Sequence, residues 1–214
     1  MIILTKNITL ELHILSRKLF IYTIPILLIL VSISGCIEFK ENQSNTKSFE
    51  NNEISFSYPS SWVSFSDFWP SNFGFLYNPS LDQKLNATVI TGVLDPKSNT
   101  PVEKYTTSVD IETKNTSGTL KDAFDGTYSS LSQSSKASGS SLFQEISERI
   151  LTVDGVTAYE KVYKIPHGEP YYQIRDVWLD KNGKIYIISC RAFPNNFNQS
   201  QNNFDLIINS FHVK

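Results

Sequence analysis

The hydrophobic pattern changes character along the chain. Leu19 to Ile37 runs for 19 residues without a charge, and its centre, Ile24-Pro25-Ile26-Leu27-Leu28-Ile29-Leu30-Val31, has no polar face. A helix with no polar face belongs in lipid or deep inside protein. Glu38 to Ser48 is polar and aperiodic, through Lys40-Glu41-Asn42-Gln43-Ser44-Asn45-Thr46-Lys47, and predicts a disordered tether. From Phe49 onward a two-residue alternation dominates, broken by stretches of helical spacing.

In the alternating part, Ile54, Phe56 and Tyr58 interleave with Ser55 and Ser57 and stop at Pro59. Trp62-Val63-Ser64-Phe65 and Phe73-Gly74-Phe75-Leu76-Tyr77 predict further extended pieces. Ala87 to Leu94 is rich in β-branched residues, and Thr107, Val109, Ile111 and Thr113 alternate with Ser108, Asp110, Glu112 and Lys114. These two runs predict a long hairpin with one wet face. The period then lengthens: Leu120, Ala123, Phe124, Tyr128 and Leu131 predict a helix over Thr119–Ser135, capped by Thr119 with Asp122 in its first turn. The Ser-rich stretch from Ser129 to Ser141 ends that helix.

Four strands are expected next, over Leu142–Thr152, Val156–Ile165, Tyr171–Leu179 and Lys184–Arg191. They are joined at Asp154-Gly155, His167-Gly168-Glu169-Pro170 and Lys181-Asn182-Gly183. The last is apolar on both faces, Ile185 and Ile187 on one and Tyr186, Ile188 and Cys190 on the other, which predicts an interior strand. Phe197, Phe204, Ile207, Ile208 and Phe211 predict a closing helix over Asn198–Ser210, after Pro194. An antiparallel sheet with helices against it is an α+β fold.

Length and charge narrow the picture. The 214 residues make one domain plus a short addition, divided into an N-terminal segment 1–35, a tether 36–48 and a domain 49–214. With 19 basic and 21 acidic side chains the net charge is −2, so no nucleic-acid partner is expected. Two cysteines and three histidines are too few for a zinc framework, and neither metal nor cofactor is expected.

Lys6, Arg17 and Lys18 precede the apolar run, which closes on Ser32-Ile33-Ser34-Gly35-Cys36. Small residues before a cysteine resemble the lipobox of exported lipoproteins, which implies cleavage before Cys36 and lipidation of its thiol. The alternative is an uncleaved anchor, since 19 residues of helix span about 30 Å. Either way the basic end stays cytoplasmic and the domain faces outward at the cell membrane. Residues 36–214 carry 16 basic and 20 acidic groups, a net charge of −4.

Several segments resemble PsbP-like domains, the family of an extrinsic photosystem II subunit. Phe56-Ser57-Tyr58-Pro59-Ser60-Ser61-Trp62 is similar to the family's opening, and Leu151-Thr152-Val153-Asp154-Gly155 with Ala158-Tyr159 to its middle. Lys184 to Cys190 with Ala192, Pro194 and Phe197 is similar to its last strand, and Phe204, Ile207, Ile208, Ser210 and Phe211 to its closing helix. The resemblance implies an α-β-α sandwich with a central antiparallel sheet, in a protein that docks on or assists membrane complexes. Such relatives also occur as lipoproteins in prokaryotes without photosynthesis, archaea included.

Signatures of catalysis are few. No Gly-x-Ser-x-Gly, phosphate loop or His-Glu-x-x-His occurs in the chain. His167 beside Glu169 reads as a loop histidine, with a base or metal ligand as the alternative, and His212 as a solvated one. Asp122 with Asp125, and Asp176 with Asp180, read as solvated faces. Cys190 reads as a buried, inert thiol, with a disulfide to Cys36 as the alternative. Phe65, Phe68, Trp69, Phe73, Phe75 and Tyr77 form one aromatic cluster, and Tyr163, Tyr171, Tyr172 and Trp178 another. Both read as core, with Phe68 and Trp69 as the candidate partner contact. Asn42, Asn86, Asn115 and Asn198 each precede x-Ser or x-Thr, the acceptor pattern for N-glycosylation. The function expected is a membrane-anchored accessory or binding protein without catalysis. The alternatives are a small-ligand-binding lipoprotein or a hydrolase.

Overall fold

At Asp154-Gly155 and Asn182-Gly183 both residues lie at positive φ, 50° with 76° and 57° with 75°. This is the two-residue turn whose twist matches the flanking strands, and it folds each long strand back on the next. The structure is a computed structural model and describes residues 45–65, 87–98, 106–115, 118–137, 143–165 and 171–214. These lie within a compact unit, Ser44–Lys214. The strands are β1 (Thr46–Glu50), β2 (Ile54–Pro59), β3 (Val63–Ser64), β4 (Thr88–Leu94), β5 (Ser108–Lys114), β6 (Gln144–Val153), β7 (Val156–Ile165), β8 (Tyr172–Lys181), β9 (Lys184–Ala192) and β10 (His212–Val213). The helices are α1 (Leu120–Ala137), α2 (Pro194–Gln199) and α3 (Gln201–Ser210).

The main sheet has seven strands in the order β3-β4-β5-β9-β8-β7-β6, and β1-β2-β10 form a second, smaller one. All pairings in both sheets are antiparallel. As its pattern predicts, β9 is interior, between β5 and β8. One face of the sheet takes α1: Phe124, Tyr128 and Leu131 pack on Tyr163, Ile174, Trp178, Ile185 and Ile187. The other takes α2, α3 and the small sheet: Ile54, Phe56, Trp62, Phe197, Phe204, Ile207, Ile208 and Phe211 pack on Val109, Ile111, Val177, Leu179, Tyr186, Ile188 and Cys190. The class is α+β, a sheet covered on both faces. Trp62 stands edge-on to Phe204 at 6.3 Å, an anchor between the strand region and α3.

Several expectations are corrected. The closing helix is two helices, broken at Ser200 (φ −92°, ψ 1°), whose N–H bonds back to Asn196 O at 2.9 Å. The break starts a new helix while Phe197 and Phe204 stay in contact at 5.5 Å. The polar tether ends early: Thr46 begins β1, because Lys47 and Ser48 pair with β2 at its outer edge and Phe49 stacks on Phe56 at 5.2 Å. The expected wet face of β5 is covered, with Ser108, Asp110 and Glu112 all buried. Arg191 on β9 supplies part of the reason, donating to Ser108 Oγ at 2.8 Å and standing 4.0 Å from Asp110 Oδ2. Asp176, expected in solvent, is also fully buried. The piece Phe73–Tyr77 lies outside the described residues.

Candidate functional site

Helix α1 is set at its start by a reciprocal cap. Thr119 Oγ1 accepts from the Asp122 N–H at 3.1 Å, and the Asp122 carboxylate accepts from the Thr119 N–H at 3.3 Å. Its apolar stripe turns to the sheet. Asp125, Ser129, Ser132, Gln133 and Lys136 are left along the side that looks toward β6. The strand enters next to the helix end, where the Phe143 N–H donates to Ser135 Oγ at 3.2 Å.

Between helix and strand runs an open groove of about 770 Å³. Phe124, Tyr128 and Phe143 contribute its apolar surface, and Gln144, Glu145, Glu148 and Lys161 its far side. Lys161 is the organising charge. It is 4 % exposed, and its Nζ lies 3.0 Å from Glu145 and also bonds Glu148. The same ammonium sits 5.5 Å from the Phe124 ring centre and 5.4 Å from that of Tyr128. A buried ammonium needs such company: carboxylates offset its charge and aromatic faces its lost hydration. On the helix side, Lys121 Nζ bonds both oxygens of Asp125, at 2.5 and 2.6 Å.

Beneath the groove lies a buried polar knot. Asp176 Oδ2 accepts from Tyr128 OH and Tyr163 OH, each at 2.7 Å, and Oδ1 accepts from Ser189 Oγ at 2.7 Å. Trp178 Nε1 donates to Tyr128 OH at 3.0 Å. Burial first, and then the Asp176 charge, push the Tyr128 phenol well above its usual range, so it remains a neutral donor. Cross-strand partners carry polarity across the sheet: Glu148 faces Lys161, Lys161 faces Asp176, Asp176 faces Ser189, and Ser189 faces Asp110. The knot fixes where α1 sits, and so fixes the width of the groove.

Other residues read from the sequence fall elsewhere. Cys36, Asn42, Phe68, Trp69, Asn86 and His167 lie outside the described residues, as does the apolar run before Cys36. Asn115, just past β5, and Asn198, on α2, are exposed. Cys190 is fully buried, and burial pushes its thiol far up. His212 is a surface residue, with Nδ1 2.7 Å from Asp154 Oδ1. Tyr163 and Trp178 are core, whereas Tyr172 is half-buried and stacks on Phe193 at 4.6 Å. Asp122 and Asp125 do not act as a pair: one caps the helix and the other rims the groove. Among the described residues, no His, Cys, Asp or Glu group is placed to hold a metal ion, and no helix is long and apolar enough to cross a membrane. The groove residues Phe143, Glu145, Glu148 and Lys161 were not picked out by pattern. The one available signal was Lys161, charged and in phase with the inward-facing Tyr159 and Tyr163.

A seven-stranded antiparallel sheet between α1 on one side and α2, α3 and a small sheet on the other defines an α+β sandwich. The sequence pattern of the PsbP-like protein family matches residues 33–213, and the chain belongs to that family. Among solved structures it is similar to the cyanobacterial PsbP of Synechocystis sp., with 16% identity, 82% of this chain and 96% of that chain covered, and a TM-score of 0.53. It also matches LpqN of Mycobacterium tuberculosis, described as involved in cell envelope biogenesis. That match has 10% identity, 79% and 91% coverage and a TM-score of 0.49. No curated protein sequence matches the chain.

Proposed function

We propose that this chain is a non-catalytic accessory protein, held at the cell membrane with its domain outside, that docks a membrane-associated partner. The observation that carries the reading is the α1–β6 groove. It is open, its walls alternate hydroxyl, amide and charged groups, and aromatic side chains lie at its base, the composition of a contact surface. Its carboxylates Asp125, Glu145 and Glu148 are each engaged by a lysine. Held this way they offer fixed acceptors, with lone pairs to spare, that a partner's donors can meet. Membership of the PsbP-like family supports the same reading. The anchor is Cys36 or the apolar segment before it, and the Phe68-Trp69 segment is a second contact element.

Affinity capture from detergent-solubilised membranes tests this with three forms: the native chain, Ser129→Trp to fill the groove, and Phe68→Ala/Trp69→Ala. Loss of a true contact should cost about 2 kcal/mol or more, about thirtyfold in affinity. Equal capture by all three forms would remove both surfaces as the interface. The groove volume also falls in the range of small-molecule sites. A small molecule that co-purifies with the native chain but not with Ser129→Trp, with no protein captured, would replace docking with ligand carriage.

A further inference from the structure

We propose that the chain self-associates through β6, two copies pairing edge to edge so that the seven-stranded sheet continues across a two-fold axis. The inference stands on β6 itself and does not depend on the docking reading. Strand β6 ends the main sheet, and among the described residues no strand pairs with its outer side. Such an edge is normally guarded by charges or irregularity. Here the charges are drawn back onto β7: Glu148 bonds Lys161, and Arg149 Nε lies 2.6 Å from Glu160 Oε1. Drawn back in this way, they leave the strand's outward backbone groups uncovered, although Arg149, 59% exposed, still weighs on the register of an incoming strand. The irregularity is a bulge between Glu145 and Ser147, and the ladder is regular from Ser147 to Val153. Ile150 is 68% exposed and Ile146 45%, and these are the exposed large hydrophobics among the described residues.

The hairpin turn decides which backbone groups are available. A two-residue turn at Asp154-Gly155 makes Val153 and Val156 a hydrogen-bonded pair. Bonding to β7 then recurs at every second residue, and Glu148, Ile150 and Thr152 turn their N–H and C=O groups outward. A two-fold centred on Ile150 sets Ile150 against Ile150, Glu148 against the second copy's Thr152, and Arg149 against its Leu151. Every outward group then finds a partner and no like charges meet. Sliding the pairing one step one way sets Arg149 against Arg149. One step the other way runs the pairing past the end of β6 at Val153, setting Glu148 against the turn residue Asp154, which has no extended backbone to pair. Like charges directly opposite are destabilising, so the Ile150 register is selected. The axis is perpendicular to the sheet, so α1 lies on the same side in both copies and the two grooves join over the paired β6 strands.

Strand pairing alone covers less than the standard interface of about 1,600 Å², so the association is weak in solution and covalent trapping is the suitable test. Leu151 and Arg149 form a non-hydrogen-bonded pair across the axis, where side chains come closest. Full-length chains carrying Arg149→Cys and Leu151→Cys, mixed in detergent with a mild oxidant, should form an intermolecular disulfide. Each variant alone should form about tenfold less, and Ile150→Lys added to both should reduce the mixed product by a similar factor. The native chain, which retains Cys36 and Cys190, is the control. Ile150 is exposed, Glu160 keeps its bond from Arg175 Nε at 2.7 Å, and Leu151 is only partly buried against the core, so folding should survive these changes at some cost in stability, which circular dichroism checks. No disulfide in the mixture, or equal yields from either variant alone, would overturn the proposal. So would trapping of a different membrane protein in place of the second copy.

Discussion

Asp154 occupies the left-handed position of its turn and also holds the end of the chain. Its carboxylate bonds Lys181 Nζ, accepts from the Val213 N–H at 2.9 Å and meets His212 Nδ1 at 2.7 Å. Burial alone would raise its pKa, but the Lys181 ammonium, the Val213 N–H and the His212 ring outweigh it and hold the group at about 2, from 3.8. A carboxylate whose pKa is depressed on folding contributes stability above its unfolded value and loses that contribution as pH falls toward the folded one. The contribution here is about 2 kcal/mol, and it should fade between about pH 4 and pH 2. Asp154→Asn tolerates the backbone at φ 50° but removes the charge. Urea midpoints measured across that window should therefore fall less steeply with acid in Asp154→Asn than in the native chain. An unchanged slope would show that the charge of Asp154 adds nothing to stability in that window. The turn itself was legible, since Asp-Gly between alternating runs is turn chemistry. The carboxylate's reach to Val213, 59 residues on, was not, because no local pattern encodes it. Asp176 teaches the same lesson more sharply: a single acid in a strand looks solvated until three hydroxyls from other elements close around it.

At the scale of elements, periodicity placed α1, the long strands and the interior position of β9, since burial on one or both faces is written into side-chain alternation. The misses share a cause. Thr46 to Ser48 look like tether because an edge strand can be polar on both faces. The face of β5 that carries Asp110 looked wet because its covering partner, Arg191, is set by strand order. The groove escaped notice because it is the space between α1 and β6, which no single segment describes. Helix α1 offers a clean test of how far local preference still matters inside the fold. Gly126 lies mid-helix and exposed, and an added Cβ there meets nothing within 4 Å. Gly126→Ala should raise stability by about 0.5–1 kcal/mol, read as a higher urea midpoint with the same slope. No gain would mean that α1 is held almost wholly by the Tyr128–Asp176 knot and its aromatic packing, with helix propensity contributing little.

For the whole molecule, alternation says which side chains face inward but not which strands are neighbours. Strand β5 pairs with β9 across a long sequence interval, and that pairing, with β8 beside it, creates both the interior strand and the floor beneath α1. The resemblance in turn and helix residues supplied the architecture that alternation could not. The proposed anchoring of this body rests on the chain before it. In the anchoring proposed above, three basic residues, Lys6, Arg17 and Lys18, followed by 19 uncharged ones, would orient an apolar segment with its basic end inside. On that proposal everything after Cys36 is carried outside. If lipidation supplies the anchor, Cys36→Ser should abolish incorporation of labelled fatty acid and leave the segment uncleaved, visible as a mass increase corresponding to residues 1–35. If the segment itself is the anchor, Cys36→Ser should change neither mass nor membrane retention. Both outcomes keep the domain outside, where protease added to intact cells must reach it. Full protection of the domain in intact cells, with digestion after lysis, would place it on the other side of the membrane and end the anchored, outward-facing reading altogether.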